Sequence, residues 1–130
     1  MQTEQVRIRW RDVDNYGHVN NAVYLTYLEE CRDRWARSVL GDEFDFVIVR
    51  VAIDYRRELS LSDHEVTVSC RGIAHGRSSI QTEERIVARA GFVAAESTSV
   101  IVKHDASGRA AVPFTDEERA LLDAAIAADA

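Results

Sequence analysis

The chain has 130 residues, of which 46% are hydrophobic and 29% charged, and its formal net charge is −6. This length suits one domain, 1–130, around one core, because two domains of half the size would be marginally stable. The acidic balance, without any run of five like charges, gives no footprint for nucleic acid or for a membrane surface, so neither is expected as a partner.

The first half of the chain predicts a strand, a long helix and a second strand. Apolar residues alternate with arginines over Val6–Arg11, which is typical of a strand with one wet face. Over Asn21–Leu40 apolar residues recur at three- and four-residue steps, which predicts an amphipathic helix that Gly41 ends. The next stretch, Val47–Arg56, predicts a long strand, partly buried on both sides, with one face formed by Val47, Val49, Val51, Ile53 and Tyr55.

The second half predicts three further strands that build an antiparallel sheet. Alternation after a turn at 61–64 indicates a strand over Val66–Arg71. Two more strands are expected over Ile80–Arg89 and Phe92–His104, joined by a hairpin at Ala90-Gly91. The sheet is therefore expected to be mostly antiparallel.

The end of the chain predicts a short helix. A reversal at Ser107-Gly108 and a short strand at Ala110–Val112 are expected first. Thr115, with Glu118 three residues later, then has the spacing of a capping box and begins a C-terminal helix. The sequence thus predicts an α+β fold in two layers, in which one long helix covers one face of the sheet.

The two cysteines and the N-terminal segment indicate the cellular compartment in which the protein is expected. Cys31 and Cys70 stand in apolar-patterned stretches without CxxC spacing, so we expect buried thiols, neither a disulfide nor a zinc site. No apolar run approaches the roughly 20 residues of a membrane-spanning helix, and the N-terminal segment has no apolar signal region. A cytoplasmic location is expected.

The segment between the first strand and the helix is the candidate site. Its polar residues are acids, amides and an imidazole, and Asp14 precedes the first turn of the helix. Helix N-terminal N–H groups lack intrahelical partners and can stabilise an oxyanion. A carboxylate beside them suits acyl transfer, as a general base on water or as a nucleophile that forms a mixed anhydride.

Other interpretations of the same residues remain open. An EF-hand loop beginning at Asp12 fails, because Tyr16 and Val23 would occupy positions that need oxygen ligands. Asp12 and Asp14 can also serve only to form Asx turns, and His18 can be a polar turn residue. Asn20 or Asn21 can be only the N-cap of the helix.

The segment 12–32, DVDNYGHVNNAVYLTYLEECR, resembles the signature D-x-D-x-x-G-H-V-N-N-x-x-Y of hot-dog-fold acyl-CoA thioesterases of the 4-hydroxybenzoyl-CoA thioesterase type. The resemblance continues more weakly through 49–68 and 72–87 and covers the chain from Val6 to about Lys103. It implies a curved antiparallel sheet of about five strands wrapped around one long helix. It also implies sheets that pair edge to edge, so a homodimer or homotetramer is expected.

Carried over by position, the motif assigns a role to each of its residues. Asp14 corresponds to the family's base or nucleophile, whereas Asp12 is expected to be structural. The N–H near Asn21 would polarise the thioester carbonyl, and His18 would orient substrate or water. The remaining motif residues are expected to contact substrate, namely Gly17, Val19, Asn20 and Tyr24. Tyr24 would line the acyl pocket, and Gly17 would permit close approach of the thioester.

Two arginine-bearing segments are candidates for binding the CoA nucleotide. In the turn 76–79, small residues would let the pantetheine arm pass, and a phosphate contact is expected from Arg77, largely because the family has similar turns. The alternative is a hairpin turn with a solvated arginine. Arg56 and Arg57 are weaker candidates for the same nucleotide. The residues implicated in the turn are Arg77, Ser78 and Ser79.

The resemblance implies an enzyme that hydrolyses a small-to-medium acyl- or aroyl-CoA ester to the acid and free CoA. No metal and no cofactor are expected. The alternatives are a noncatalytic acyl-CoA sensor, against which the intact Asp14 argues, and a thioesterase that acts on acyl-carrier protein. A hot-dog dehydratase fits less well, since the motif does not resemble the dehydratase site.

Overall fold

A computed structural model describes residues 1–105, 107 and 109–130. Five strands and two α-helices follow one another as β1 Gln2–Arg7, α1 Asn21–Leu40, β2 Asp45–Tyr55, β3 Glu65–His75, β4 Ser79–Ala88, β5 Val93–His104 and α2 Asp116–Asp129. The strands form one antiparallel sheet in the order β1-β3-β4-β5-β2. The α+β prediction of five strands, one long helix and a short C-terminal helix is confirmed.

The first strand lies earlier than the sequence predicts. Only Val6 and Arg7 of the strand predicted over Val6–Arg11 belong to β1. The rest of that prediction is wrong, because Trp10–Asp12 forms a 3₁₀ turn. The buried carboxylate of Asp12 accepts hydrogen bonds from the Arg9 N–H at 2.9 Å and from the Tyr27 hydroxyl at 2.7 Å. These contacts turn the chain out of the sheet, although the apolar alternation continues to Trp10.

Helix α1 has the bounds that the sequence predicts. The Asn20 side chain accepts a hydrogen bond from the Ala22 N–H at its start, and Gly41 ends it with a φ of 90°. The inner face of the helix packs on the sheet. Trp35 lies so close to Gly72 that a Cβ there would overlap the indole ring, so β3 needs glycine at this position.

A bulge in β2 changes which side chains face the helix. The pairs Ile48–Ile101 and Val51–Ser99 both place the β2 residue on the inner face, although three positions separate Ile48 from Val51. The predicted face is therefore wrong in its first half, since Val47 and Val49 do not share the inner face with Val51. Most of β2 is exposed because it is the edge strand of the sheet.

The β4–β5 hairpin and the last helix form as expected. Gly91, with a φ of 101°, makes the hairpin turn, and its N–H bonds to the Ala88 carbonyl at 2.8 Å. Thr115 and Glu118 form the capping box of α2. The predicted strand at 110–112 is reduced to one bridge from Ala111 to β5, and the predicted reversal at 107–108 includes Gly108, which lies outside the described residues.

The core lies between α1 and the inner face of the sheet. Cys31 and Cys70 are fully buried free thiols, as predicted, and burial raises the pKa of Cys31 to about 12. Their chemistry is therefore that of small apolar side chains. Among the described residues, neither helix is long and apolar enough to cross a membrane.

Candidate active site

The loop from Val13 to Val19 doubles back on itself ahead of α1. Its two ends pair in an antiparallel bridge, and the Asp14 N–H donates to the His18 carbonyl at 2.8 Å. Gly17 has a φ of 82°, a conformation that residues with a Cβ rarely adopt, and this lets the loop turn tightly. The loop thereby holds the Asp14 and His18 side chains beside the first turn of the helix.

One oxygen of the Asp14 carboxylate braces this loop. Oδ1 accepts hydrogen bonds from the Tyr16 N–H at 2.9 Å and from the His18 N–H at 3.2 Å. This is the Asx-type turn that the sequence leaves open as an alternative. Oδ2 makes no hydrogen bond to any residue that the structure describes, so it remains available for chemistry.

The first turn of α1 leaves one backbone donor available. The Asn20 side chain accepts from the Ala22 N–H at 2.9 Å, and the Asn20 carbonyl accepts from the Val23 N–H at 2.9 Å. Asn20 is therefore the N-cap. Within the described chain, the Asn21 N–H has no such partner. It stands at the positive end of the helix dipole, where a carbonyl oxygen would be polarised.

Two tyrosines connect the helix start to the end of β2. The Tyr24 hydroxyl accepts a hydrogen bond from the Leu59 N–H at 3.1 Å, and burial raises the Tyr24 pKa. The Tyr24 and Tyr55 rings meet edge to face with centroids 5.1 Å apart. Tyr55 in turn donates from its hydroxyl to the Asn21 carbonyl at 2.9 Å. Tyr24 is thus a buried core residue that also touches the site.

These groups line one open pocket of about 350 Å³. Its wall consists of Asp14, His18, Val19, Asn21, Tyr24, Tyr55, Arg56, Arg57 and Glu58. The structure therefore brings together seven of the candidate residues that the sequence predicts, Asp14, His18, Val19, Asn21 and Tyr24 from the motif and the weaker candidates Arg56 and Arg57. Gly17 and Asn20 belong to the same loop but do not line the pocket.

Sequence reasoning misses two members of the pocket wall. Tyr55 has the pattern of the apolar face of its strand, and only its hydrogen bond to the helix start marks it as a site residue. Glu58 lies with Oε2 3.4 Å from His18 Nε2, and both side chains are substantially exposed. Neither residue has a local pattern that indicates a site, because each joins the pocket through a contact between distant segments.

The acids that flank the pocket have structural roles. Burial alone would raise the pKa of Asp12, but hydrogen bonds from the Arg9 backbone and the Tyr27 hydroxyl outweigh it and hold the pKa below its ordinary value. Glu96, on β5, forms ion pairs with Arg56 at 3.3 Å and Arg85 at 3.1 Å. It is therefore not part of the candidate site.

The turn that carries Arg77, Ser78 and Ser79 lies at the other end of the sheet. Ser79 pairs with Val102 on β5, whereas Tyr55 pairs with Ala95. Seven residues of strand separate these positions, which corresponds to about 23 Å. The turn does not contribute to the Asp14 pocket of the same chain, and its contact with CoA stays a prediction.

A larger cavity of about 480 Å³ lies next along α1 and β2. Its apolar wall includes Leu25, Ala36, Phe46, Ile48, Val51 and Ile101, and its polar wall includes Glu29, Arg32 and Asp33. The helix side of the pocket ends at Tyr24 and the cavity begins at Leu25. Both spaces thus border α1 and β2.

The comparisons with known proteins agree with this geometry. Residues 8–124 match the model of the thioesterase-like superfamily. The chain belongs to this superfamily. The membership confirms the resemblance to hot-dog-fold thioesterases drawn from the Asp12–Tyr24 motif, and with it the fold and the expectation of a thioesterase, while the narrower 4-hydroxybenzoyl-CoA type stays a prediction.

Individual relatives cover nearly the whole chain. The long-chain acyl-CoA thioesterase FadM of Escherichia coli (strain K12) is 34% identical, over 95% of this chain and 97% of that protein. A thioesterase from Thermus thermophilus, solved in complex with coenzyme A and Zn, is 35% identical with a TM-score of 0.86, covering 97% of this chain and 94% of that one. The probable thioesterase YbaW from Escherichia coli is 28% identical with a TM-score of 0.80, over 97% and 99%.

Proposed function

We propose that this thioesterase hydrolyses acyl-CoA esters to the free acid and CoA, with Asp14 as the reacting carboxylate. The observation that carries the proposal is the pairing of two available groups in one pocket. Within the described residues, Asp14 Oδ2 and the Asn21 N–H have no hydrogen bond, and Asp14 and Asn21 line the same pocket. A carboxylate facing an oxyanion donor is the arrangement that acyl transfer needs.

The reaction follows one of two routes from this geometry. The thioester carbonyl oxygen accepts a hydrogen bond from the Asn21 N–H, which stabilises the charge that develops on it. Asp14 then either takes a proton from the attacking water or attacks the carbonyl carbon itself to form a mixed anhydride that water hydrolyses. In both routes a C–O bond forms, the C–S bond breaks, and the CoA sulfur leaves as a thiolate that takes up a proton.

The neighbouring loop residues support binding in this proposal. His18, held by its bridge to Ser60, orients the substrate or the water. Gly17 has no Cβ to obstruct the approach of the thioester. Val19 lines the pocket beside it, while Asn20 caps the helix that carries the oxyanion donor. Tyr24 lines the pocket beside Asn21, where the start of the acyl group would lie. These residues are expected to change binding and orientation more than the chemical step.

Arginines supply the attraction for the anionic CoA nucleotide, because the net charge of −6 opposes it. Arg56 and Arg57 line the Asp14 pocket, which supports a phosphate contact from the same chain. Arg77, with Ser78 and Ser79, reaches this CoA molecule only if another chain brings its turn to the pocket. The proposal favours CoA over a carrier protein on the basis of these arginines.

The groove between α1 and β2 supports an aliphatic acyl group. From Asn21 to Ala36 it follows fifteen residues of helix, about 22 Å at 1.5 Å per residue. Small-to-medium acyl and aroyl groups, as the sequence predicts, would occupy its first part. The identity to a relative named for long-chain substrates supports testing longer chains as well.

The edge of the sheet supports a homodimer or homotetramer. β2 is an edge strand whose apolar side chains are exposed, with Val47 at 41%, Ile48 at 44% and Val49 at 58%. An exposed apolar edge favours pairing with a second chain. Pairing there would also cover the open side of the acyl groove, which β2 borders.

The proposal is tested by measuring free thiol and free acid together over a series of aliphatic acyl-CoA esters, from acetyl-CoA to stearoyl-CoA, and benzoyl-CoA. We expect equal release of both products with a preference for aliphatic chains. A sensor module would bind these esters without releasing thiol, and that result would contradict the proposed function. A parallel series of pantetheine esters, which lack the nucleotide, should show a higher KM because the arginine contacts are lost.

A further inference from the structure

A buried guanidinium stands in the wall of the acyl groove. Arg32, on the inner face of α1, is only 5% exposed and lines the 480 Å³ cavity. We propose that Arg32 selects acyl chains that carry a neutral oxygen, a hydroxyl or keto group, partway along the hydrocarbon. The inference rests on the proposed function and names the substrate class for the same groove.

The Arg32 guanidinium has N–H donors that no described residue uses. Its Nε donates to Glu84 Oε1 at 2.6 Å and its Nη2 donates to Ser99 Oγ at 3.1 Å. Nη1 makes no hydrogen bond to any described residue. A guanidinium carries five N–H donors, and only two are used here. The remaining donors belong to a side chain that borders the cavity, where a ligand oxygen can accept from them.

The charge around Arg32 favours a neutral oxygen over a carboxylate. Glu84 is buried and balances the arginine charge, and it accepts further hydrogen bonds from Thr82 Oγ1 at 2.8 Å and Ser99 Oγ at 2.9 Å. Two more acids line the same cavity, Glu29 and Asp33, of which Asp33 pairs with Arg37 at 2.9 Å. A ligand carboxylate would be repelled by these acids, whereas a hydroxyl or keto oxygen gains a hydrogen bond without adding charge.

A second buried polar group next to this cluster lacks a partner. Ser97 is 3% exposed, and its Oγ has no hydrogen bond in the part of the chain that the structure describes. Ser97 pairs with Glu84 and lies two residues from Ser99 on the same face of β5. Buried hydroxyls in native proteins nearly always have partners. Ser97 does not line the Arg32 cavity itself but a separate pocket between β2, β4 and β5, so the contact with the ligand oxygen is assigned to Arg32 alone.

The register of the sheet gives the position of the oxygen on the chain. Ser99, which Arg32 contacts, pairs with Val51, four residues before Tyr55 on β2. Four residues of strand span about 13 Å from the Tyr55 level, where the thioester binds in the proposed function. An extended hydrocarbon advances about 1.2 Å per bond, so about 13 Å corresponds to about eleven bonds and the contact falls roughly ten to twelve carbons from the thioester.

The experiment uses CoA thioethers, which bind but are not hydrolysed, and measures their affinity by titration calorimetry. The three probes are dodecyl-CoA, 10-hydroxydodecyl-CoA and 3-hydroxydodecyl-CoA. For the wild-type protein we expect the 10-hydroxy probe to bind about tenfold more tightly than the dodecyl probe, as one hydrogen bond to a charged donor would give. The 3-hydroxy probe should show no such gain.

The variant Arg32→Lys keeps a positive charge beside Glu84 but removes the planar guanidinium. The 10-hydroxydodecyl and dodecyl probes should therefore bind this variant with about equal affinity. The matched control is Arg34→Lys, an exposed arginine on the same helix that pairs with Glu4 and Glu30 outside the cavity, and it should keep the preference. If circular dichroism shows that Arg32→Lys is not folded, the double variant Arg32→Met/Glu84→Met replaces it, because it removes both buried charges together.

Three results would overturn the inference. They are equal affinity of the wild-type protein for the dodecyl and 10-hydroxydodecyl probes, a preference that survives the Arg32 variant, and no binding of either probe because a second copy of the chain fills the cavity. Thiol release from dodecanoyl-CoA is measured separately. Its absence would contradict the proposed function, while the thioether affinities still decide the role of Arg32.

Discussion

Removing one hydroxyl, in Tyr55→Phe, tests the contact that completes the site and that the sequence does not reveal. Tyr55 donates to the Asn21 carbonyl at 2.9 Å, while its ring meets Tyr24 edge to face. Phenylalanine keeps the ring contact and loses only the hydrogen bond. A neutral hydrogen bond contributes about 0.5–1.5 kcal/mol, which corresponds to a kcat lower by about 2- to 12-fold if the bond holds the oxyanion donor in place.

The assay is thiol release at saturating acyl-CoA, with KM measured alongside. The control is Tyr16→Phe, because Tyr16 is 85% exposed at the tip of the loop and its hydroxyl makes no hydrogen bond to the described residues. We expect kcat to fall for Tyr55→Phe and to stay unchanged for Tyr16→Phe, with similar unfolding temperatures. An unchanged kcat for Tyr55→Phe would refute the argument that this hydroxyl positions the helix start.

Further predictions concern stability and assembly. Gly72→Ala should destabilise the fold by about 1–3 kcal/mol in chemical unfolding, because the new Cβ overlaps an indole ring of α1; unchanged stability would mean that the ring moves freely. The Gly76 carbonyl and Asp123 raise the pKa of His75 above 6.5, so its stabilisation is complete below pH 6.5 and is lost as the pH rises through the folded pKa. The stability advantage over His75→Gln should shrink across that range, and a growing advantage would contradict it. Light scattering should give at least twice 14.6 kDa for the wild-type protein and a smaller mass for Val49→Lys, which puts a charge on the exposed edge; equal masses would exclude this edge as the interface.

The elements that the sequence predicts well are those with a long regular pattern. Helix α1 combines twenty residues of helical periodicity with a cap at each end, and both bounds are confirmed. The hairpin at Gly91 is predictable because its conformation needs glycine locally. The β2 bulge is not, because one extra residue leaves the alternation of Val47 and Val49 looking regular while the pairing moves them off the inner face.

The residues of the candidate site also fall into those that the sequence predicts and those that only the fold reveals. The loop residues Asp14, His18 and Asn21 are predictable because they are contiguous in a motif and fold together locally. Tyr55 and Glu58 come from a segment more than thirty residues away, so only the tertiary fold brings them to the pocket. The burial of Arg32 is hidden for the same reason, since a charged residue on a helix is expected to face solvent and its partner Glu84 is on β4.

In the proposed function the Asp14 carboxylate performs the chemical step, and the decisive variant is Asp14→Asn. Asparagine keeps an oxygen that can accept the Tyr16 and His18 N–H hydrogen bonds, so the loop should survive. The matched control is Asp116→Asn, an exposed acid at the start of α2. Removing a general base typically costs about 10²–10⁴-fold in rate, so kcat for thiol release should fall by at least about a hundredfold in Asp14→Asn and not in Asp116→Asn. A folded Asp14→Asn protein that retains wild-type kcat would contradict the claim.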